Sequence, residues 1–102
     1  MPVLTPALLL LPLLLWMAAP AQADEALAKS KHCMACHDKG RVGPEFKKIA
    51  ERYKGDASAS DRLAKKIING GGTVWGAVPM PANRHVNEAD AKKLADWVLI
   101  QK

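Results

Sequence analysis

Two regimes of hydrophobic patterning divide the chain. From Val3 to Ala23 no side chain is charged, and Leu8-Leu9-Leu10-Leu11-Pro12-Leu13-Leu14-Leu15-Trp16-Met17 is a continuous apolar run. From Asp24 onward the apolar residues fall into stripes of helical period. Asp24 to about Ala35 opens on two acids and continues Ala26-Leu27-Ala28-Lys29, which predicts a first helix with carboxylates at its positive end. A second is predicted from Pro44 to about Tyr53, with Pro44 in the first helical position, a stripe of Phe46, Ile49, Ala50 and Tyr53, and Gly55 as the stop. The third starts at a serine cap, Ser58 or Ser60, carries Leu63, Ala64, Ile67 and Ile68 on one face, and ends at Asn69-Gly70-Gly71-Gly72. The fourth is capped by Asn87, has Glu88 and Asp90 in its first turn, and aligns Ala91, Leu94, Ala95 and Val98. Trp97 lies at the margin of that face, with Leu27 as its expected partner. No stretch alternates long enough for a strand, so the fold class is all-α, with about four short helices.

Between the third and fourth helices runs a loop of about sixteen residues, Gly70 to His85, holding four of the seven glycines and a methionine between two prolines. Loops of that length in a compact domain are usually functional or disordered. Val74, Trp75, Val78 and Met80 within it call for an apolar surface to pack on.

The leading segment reads as an address. Its apolar run has the length of a signal-peptide core, and Ala21-Gln22-Ala23 is an A-x-A processing site, so residues 1–23 are expected to be removed and residues 24–102 to form one domain in the periplasm. The n-region lacks Lys and Arg, which departs from the usual signal. Against an uncleaved anchor stand Pro12 in mid-run and a span from Ala7 to Ala19 shorter than the ~20 residues of a bilayer crossing; stable membrane insertion is not expected.

Of the 79 residues after Ala23 only 33 are apolar, many of them Ala, and the aromatics are Phe46, Tyr53, Trp75 and Trp97. So thin a core calls for a disulfide, metal or cofactor. The formal charge of +5 belongs entirely to this part of the chain. It suits an acidic protein partner or anionic lipid, and an exported location argues against nucleic acid.

Outside the cytoplasm two thiols normally oxidise to a disulfide, so some chemistry must claim the only two cysteines first. Cys33-Met34-Ala35-Cys36-His37 supplies it, because C-x-x-C-H is the haem c attachment pattern. Two cysteines three apart can each add across a vinyl group on one haem edge, and the next residue brings an imidazole under the iron. A thioredoxin-like pair would need a strand-turn-helix setting, and a zinc site would need further thiol or imidazole ligands. For the opposite side of the iron Met80 is the candidate. Met1 and Met17 leave with the signal, Met34 is constrained between the cysteines, and Pro79 and Pro81 stiffen the chain around Met80. His32 and His85 remain as alternatives, the first beside Cys33, the second in the polar run Asn83-Arg84-His85.

With these motifs on the page the chain resembles the short class I c-type cytochromes of bacteria, small single-haem periplasmic carriers of the kind found in denitrifying species. The resemblance spans essentially all of residues 24–102 and rests on Cys33-x-x-Cys36-His37, Val42-Gly43-Pro44, Ile68-Asn69-Gly70, Val74-Trp75-Gly76, Pro79-Met80-Pro81 with Asn83, and the ending Trp97-Val98-Leu99-Ile100-Gln101-Lys102. It implies a class I cytochrome c fold wrapped around one covalent haem c, with His37 and Met80 as the iron's axial ligands. It also implies that the Pro44 carbonyl accepts from the other nitrogen of His37, that Trp75 donates its indole N–H to a haem propionate, that Asn83 hydrogen-bonds near the Met80 sulfur, and that Lys66 is a propionate partner. Two features depart from the family. Ala82 stands where many relatives have another proline, and one extra residue lies before the last helix, so nothing is carried over for Arg84, His85 or Val86.

Histidine with methionine favours a relatively high potential, since the soft neutral thioether prefers ferrous iron. With both ligands retained, no position is open for substrate, so the expectation is a monomeric electron carrier and not an enzyme. A haem enzyme or gas sensor with a labile sixth ligand, and a tethered haem protein serving one fixed neighbour, are the competing classes. Lys29, Lys31, Lys39, Lys47 and Lys48 lie near the attachment segment in sequence and favour docking to acidic patches on an upstream donor and on a reductase or oxidase.

Overall fold

A computed structural model describes residues 20–72 and 74–102; the expected export signal falls, up to Ala19, outside them. Five α-helices follow in order: α1 Pro20–Ser30, α2 Met34–His37, α3 Phe46–Arg52, α4 Ala59–Asn69 and α5 Glu88–Leu99, with a 3-10 turn at Asp38–Gly40. Among the described residues the only extended pairing is one antiparallel bridge between Gly71 and Met80. The all-α expectation holds, with one more helix than the four predicted.

The extra helix comes from a break in the first. Expected to run to about Ala35, α1 stops at Ser30 because His32 turns left-handed at φ 68°. The His32 N–H then reaches Lys29 O at 3.1 Å and the Cys33 N–H reaches Ala28 O at 3.0 Å, the paired reverse bonds that close a helix C-terminus. No glycine announces this stop; histidine is one of the few other residues that tolerate the conformation. The break directs the chain into α2, the single turn that carries Cys36 and His37.

The other boundaries follow local chemistry. At α3 the helix begins two residues after Pro44, behind Glu45 in extended conformation. The side chain of Ser58 does not cap α4. Asp56 takes that part, its Oδ1 accepting from the Ser58 N–H at 2.9 Å and the Ser58 hydroxyl at 2.7 Å. Ser60 donates instead to Asp96 on α5. Asn87 caps α5 as expected, accepting from the Asp90 N–H at 2.8 Å.

The core is organised on α5, which packs against α1, α3 and α4. Its Ala91, Leu94, Trp97 and Val98 form one buried cluster with Ala28 of α1, Ile49 of α3 and Val86. Leu94 is 1% exposed, a burial worth about 1.5–3 kcal/mol. Trp97 is 5% exposed and so belongs to the core proper, not its margin; its ring meets Phe46 edge-on at 5.1 Å, while Leu27 packs against the same cluster.

Candidate haem site

One cleft gathers most of the residues singled out in the sequence. Cys36, His37, Gly43 and Pro44 line it from the attachment segment, Ile49 from α3 and Tyr53 directly after it, Leu63, Lys66 and Ile67 from α4, and Val98 from α5. Trp75 to Pro81 line it from the long loop, Met80 among them. The cavity at its centre is about 190 Å³ and is continuous with open solvent at the rim.

His37 is held in a defined orientation. Its Nδ1 lies 2.7 Å from the Pro44 carbonyl oxygen, and because a carbonyl only accepts, Nδ1 carries the proton and Nε2 keeps the lone pair. The Gly43 N–H donates to Cys36 O at 2.8 Å, which brings the Gly43 Cα hard against the imidazole: a Cβ there would lie 2.9 Å from Cε1 and 3.0 Å from Nδ1. Phe46 stacks on the ring at 4.9 Å and 26°, and through Trp97 connects it to the core.

Met80 is held by backbone. Its carbonyl accepts from the Gly71 N–H at 2.8 Å, and Asn83 N–H, at 3.0 Å from Ile67 O and 3.1 Å from Ile68 O, ties the far side of the loop to the last turn of α4. Gly70, at φ 68°, lets the strands pass closely; a Cβ there would meet Met80 O at 2.5 Å and Ala82 N at 2.6 Å. The two histidine alternatives stand outside the cleft lining: His32 is exposed at the end of α1, and the His85 Nε2–H donates to Lys31 O at 3.2 Å. Met34 packs against the core cluster.

The remaining residues divide. Pro44 accepts from His37 as the family pattern implies. Lys66 enters the cleft wall, its Nζ so close over Gly72 that a Cβ on that glycine would collide with it. Trp75 lines the cleft with its ring 41% exposed. The Asn83 side-chain amide donates to Pro81 O at 3.3 Å in the turn after Met80. Two contacts have no signal in the sequence. Phe46 stacks on His37, and the Arg52 guanidinium lies over the Trp75 ring, a pairing between segments that no local pattern signals.

Both thiols are unpaired and half-buried, and burial pushes the Cys33 thiol up from its ordinary pKa, with a backbone hydrogen bond partly offsetting it. A thioredoxin-type cysteine needs the opposite, a depressed pKa. Among the described residues no group of three or more His, Cys, Asp or Glu converges as for a bare metal ion, so the zinc alternative finds no ligand set. The donor set fits haem c: an apolar slot with the Cys36 thiol in its lining, Cys33 three residues before it and packed against the core, an imidazole with a free Nε2, a thioether, and a lysine and an indole at the rim.

Comparison with known proteins gives the same answer. Residues 19–98 match the family model described as cytochrome c oxidase, cbb3-type, subunit III. Cytochrome c-551 of Stutzerimonas stutzeri is 48% identical over 102 residues, covering 98% of this chain and 97% of that protein, and cytochrome c-552 of Nitrosomonas europaea is 49% identical, covering 86% and 87%. The crystal structure of the wild-type Nitrosomonas europaea cytochrome c552 superposes with a TM-score of 0.73 at 46% identity, covering 76% of this chain and 99% of that one. The class 1 cytochrome MtoD from Sideroxydans lithotrophicus superposes at 0.62 with 31% identity, covering 76% and 91%. The chain belongs to the small class I c-type cytochromes of bacteria, single-haem electron carriers with the haem covalently attached.

Proposed function

We propose that this cytochrome works in the periplasm after cleavage behind Ala23, with Cys33 and Cys36 forming the thioethers and His37 and Met80 as the two axial ligands. The observation that supports it most is that His37, with Nδ1 engaged by Pro44 and Nε2 free, lines the same cleft as Met80, while His32 and His85 lie elsewhere. Haem c, when bound, supplies an iron that takes up and releases one electron at a time.

The chain's own residues do the rest. The Pro44 carbonyl fixes the tautomer of His37 and raises the basicity of its free nitrogen. The Met80 thioether favours the ferrous state, and Ile49, Leu63, Ile67 and Val98 keep water from the inner wall. Lys66 and the Trp75 indole, both in the cleft lining, would receive the propionates. With His37 and Met80 both committed to it, the haem iron would keep no place for a substrate, which makes this a carrier and not a catalyst. The charge of +5 steers it to acidic patches on redox partners, more weakly as salt rises.

The test is a visible spectrum of the native protein with and without carbon monoxide, together with its mass. A thioether-to-iron charge-transfer band, no uptake of the gas, and a mass of residues 24–102 plus one haem are the expected results. Ready binding of carbon monoxide by the wild type would overturn the two-ligand carrier; a mass that retains the leader would overturn the cleavage.

A further inference from the structure

Residues 75–79 form the rim of the cleft, with Val74 leading into it, and have little packing of their own. Val74 and Val78 are exposed, the latter at 67%, and a Cβ on Gly76 would meet nothing within 4 Å. Trp75 nevertheless has a partner from across the cleft. The Arg52 guanidinium carbon, in the last turn of α3, lies 5.2 Å from the centroid of its ring. The same guanidinium is 6.0 Å from the ring of Tyr53, which lines the α3 wall.

A second arginine on this side is already committed. Arg62 of α4 lies 5.6 Å from the Tyr53 ring but pairs with Asp56. Among the described residues no carboxylate pairs with Arg52. Its guanidinium is therefore held by aromatic faces alone, and it carries a permanent positive charge to the part of the rim where Trp75 stands. A planar guanidinium stacks on an indole in a way that a compact, strongly hydrated ammonium does not.

We propose that Arg52 is a positioning residue for Trp75: stacked on the indole, it ties the loop rim to α3 and fixes where the indole N–H points. The proposal rests on the reading of the cleft as a haem site, since the N–H matters through the propionate it would meet. Lys66 reaches the cleft from α4 and cannot replace this contact, because it approaches Gly72 and not the Trp75 ring. Arg52 lies at the surface, so its replacement removes the clamp without opening the core.

The experiment measures hydrogen exchange of the two indole protons by NMR in the reduced holoprotein, for the wild type, Arg52→Ala and Arg52→Lys. Exchange at Trp75 should quicken about 2- to 30-fold in Arg52→Ala, the range that a cation–π contact imposes on a local opening equilibrium. Arg52→Lys should recover only part of it, and the buried Trp97 proton should not change in either variant. The reduction potential should fall with Arg52→Ala, because a positive charge and a fixed donor are both lost near the cofactor. An unchanged Trp75 exchange rate in Arg52→Ala would overturn the proposal. Full recovery by lysine would overturn it too, since Arg52 would then act as a point charge. The absorption spectrum is read in the same samples: a wild type without a haem c spectrum would overturn the reading of the cleft, and the role of Arg52 with it.

Discussion

The Pro44 carbonyl oxygen and Nδ1 of His37 lie 2.7 Å apart, and the residue between Val42 and Pro44 is small enough to let that contact form. Gly43 is the seat on which the imidazole rests. Replacing it with alanine should force the ring away, at an overpacking cost of about 1–3 kcal/mol. For a domain of this size each kcal/mol lowers Tm by about 4–8 °C. Thermal unfolding of the holoprotein followed by its visible absorption checks this, and an unchanged Tm would contradict it.

The close pass of Gly70 against Met80 makes a second prediction. In Gly70→Ala both the positive φ and the collision with backbone atoms of Met80, Pro81 and Ala82 oppose the native loop. Neither obstacle is the end of a flexible side chain, so the loop must shift. Carbon monoxide should then bind to a protein whose methionine is intact, and the potential should fall. A variant as closed to the gas as the wild type would show that the loop has room to spare.

Removing the thioether itself should have the larger effect. Met80→Ala should lower the potential further, slow electron self-exchange, and admit cyanide and carbon monoxide freely. The structure also narrows what can substitute, because His85 is tied to Lys31 O at the end of α1 and does not line the cleft. Electron paramagnetic resonance of the oxidised variant reports this; a bis-histidine signal would contradict the prediction.

Asn87 supplies a contrast. Its side chain caps α5 through the Asp90 N–H and stands apart from the cleft. Asn87→Ala should cost about 1 kcal/mol of stability and leave the potential where it was. Voltammetry beside thermal unfolding separates the two readouts.

The residues proposed to hold the haem were legible in the sequence because their chemistry is local: two thiols one turn apart, an imidazole next to them, a thioether between prolines. The stripes of α3, α4 and α5 were legible for the same reason, since helical period is written along a single element. What escaped depends on pairs far apart in the chain. The stacking of Phe46 on His37, the pairing of Arg52 with Trp75 and the bond from Ser60 to Asp96 become visible only when α2, α3, α4, α5 and the loop are brought together. The stop at His32 escaped for another reason: a left-handed helix end normally advertises itself with glycine, and here it does not.

Every long helix before it packs against α5, yet α5 is the last to be made. A chain growing from its N-terminus therefore has no common partner for α1, α3 and α4 until α5 has emerged. Before that moment Ala28 and Ile49 remain wet, and α1, closed at Ser30, has too few residues to stand as a helix by itself. Closure of the fold waits for α5, and until it docks the segment carrying Cys33 and Cys36 lies in an open polypeptide.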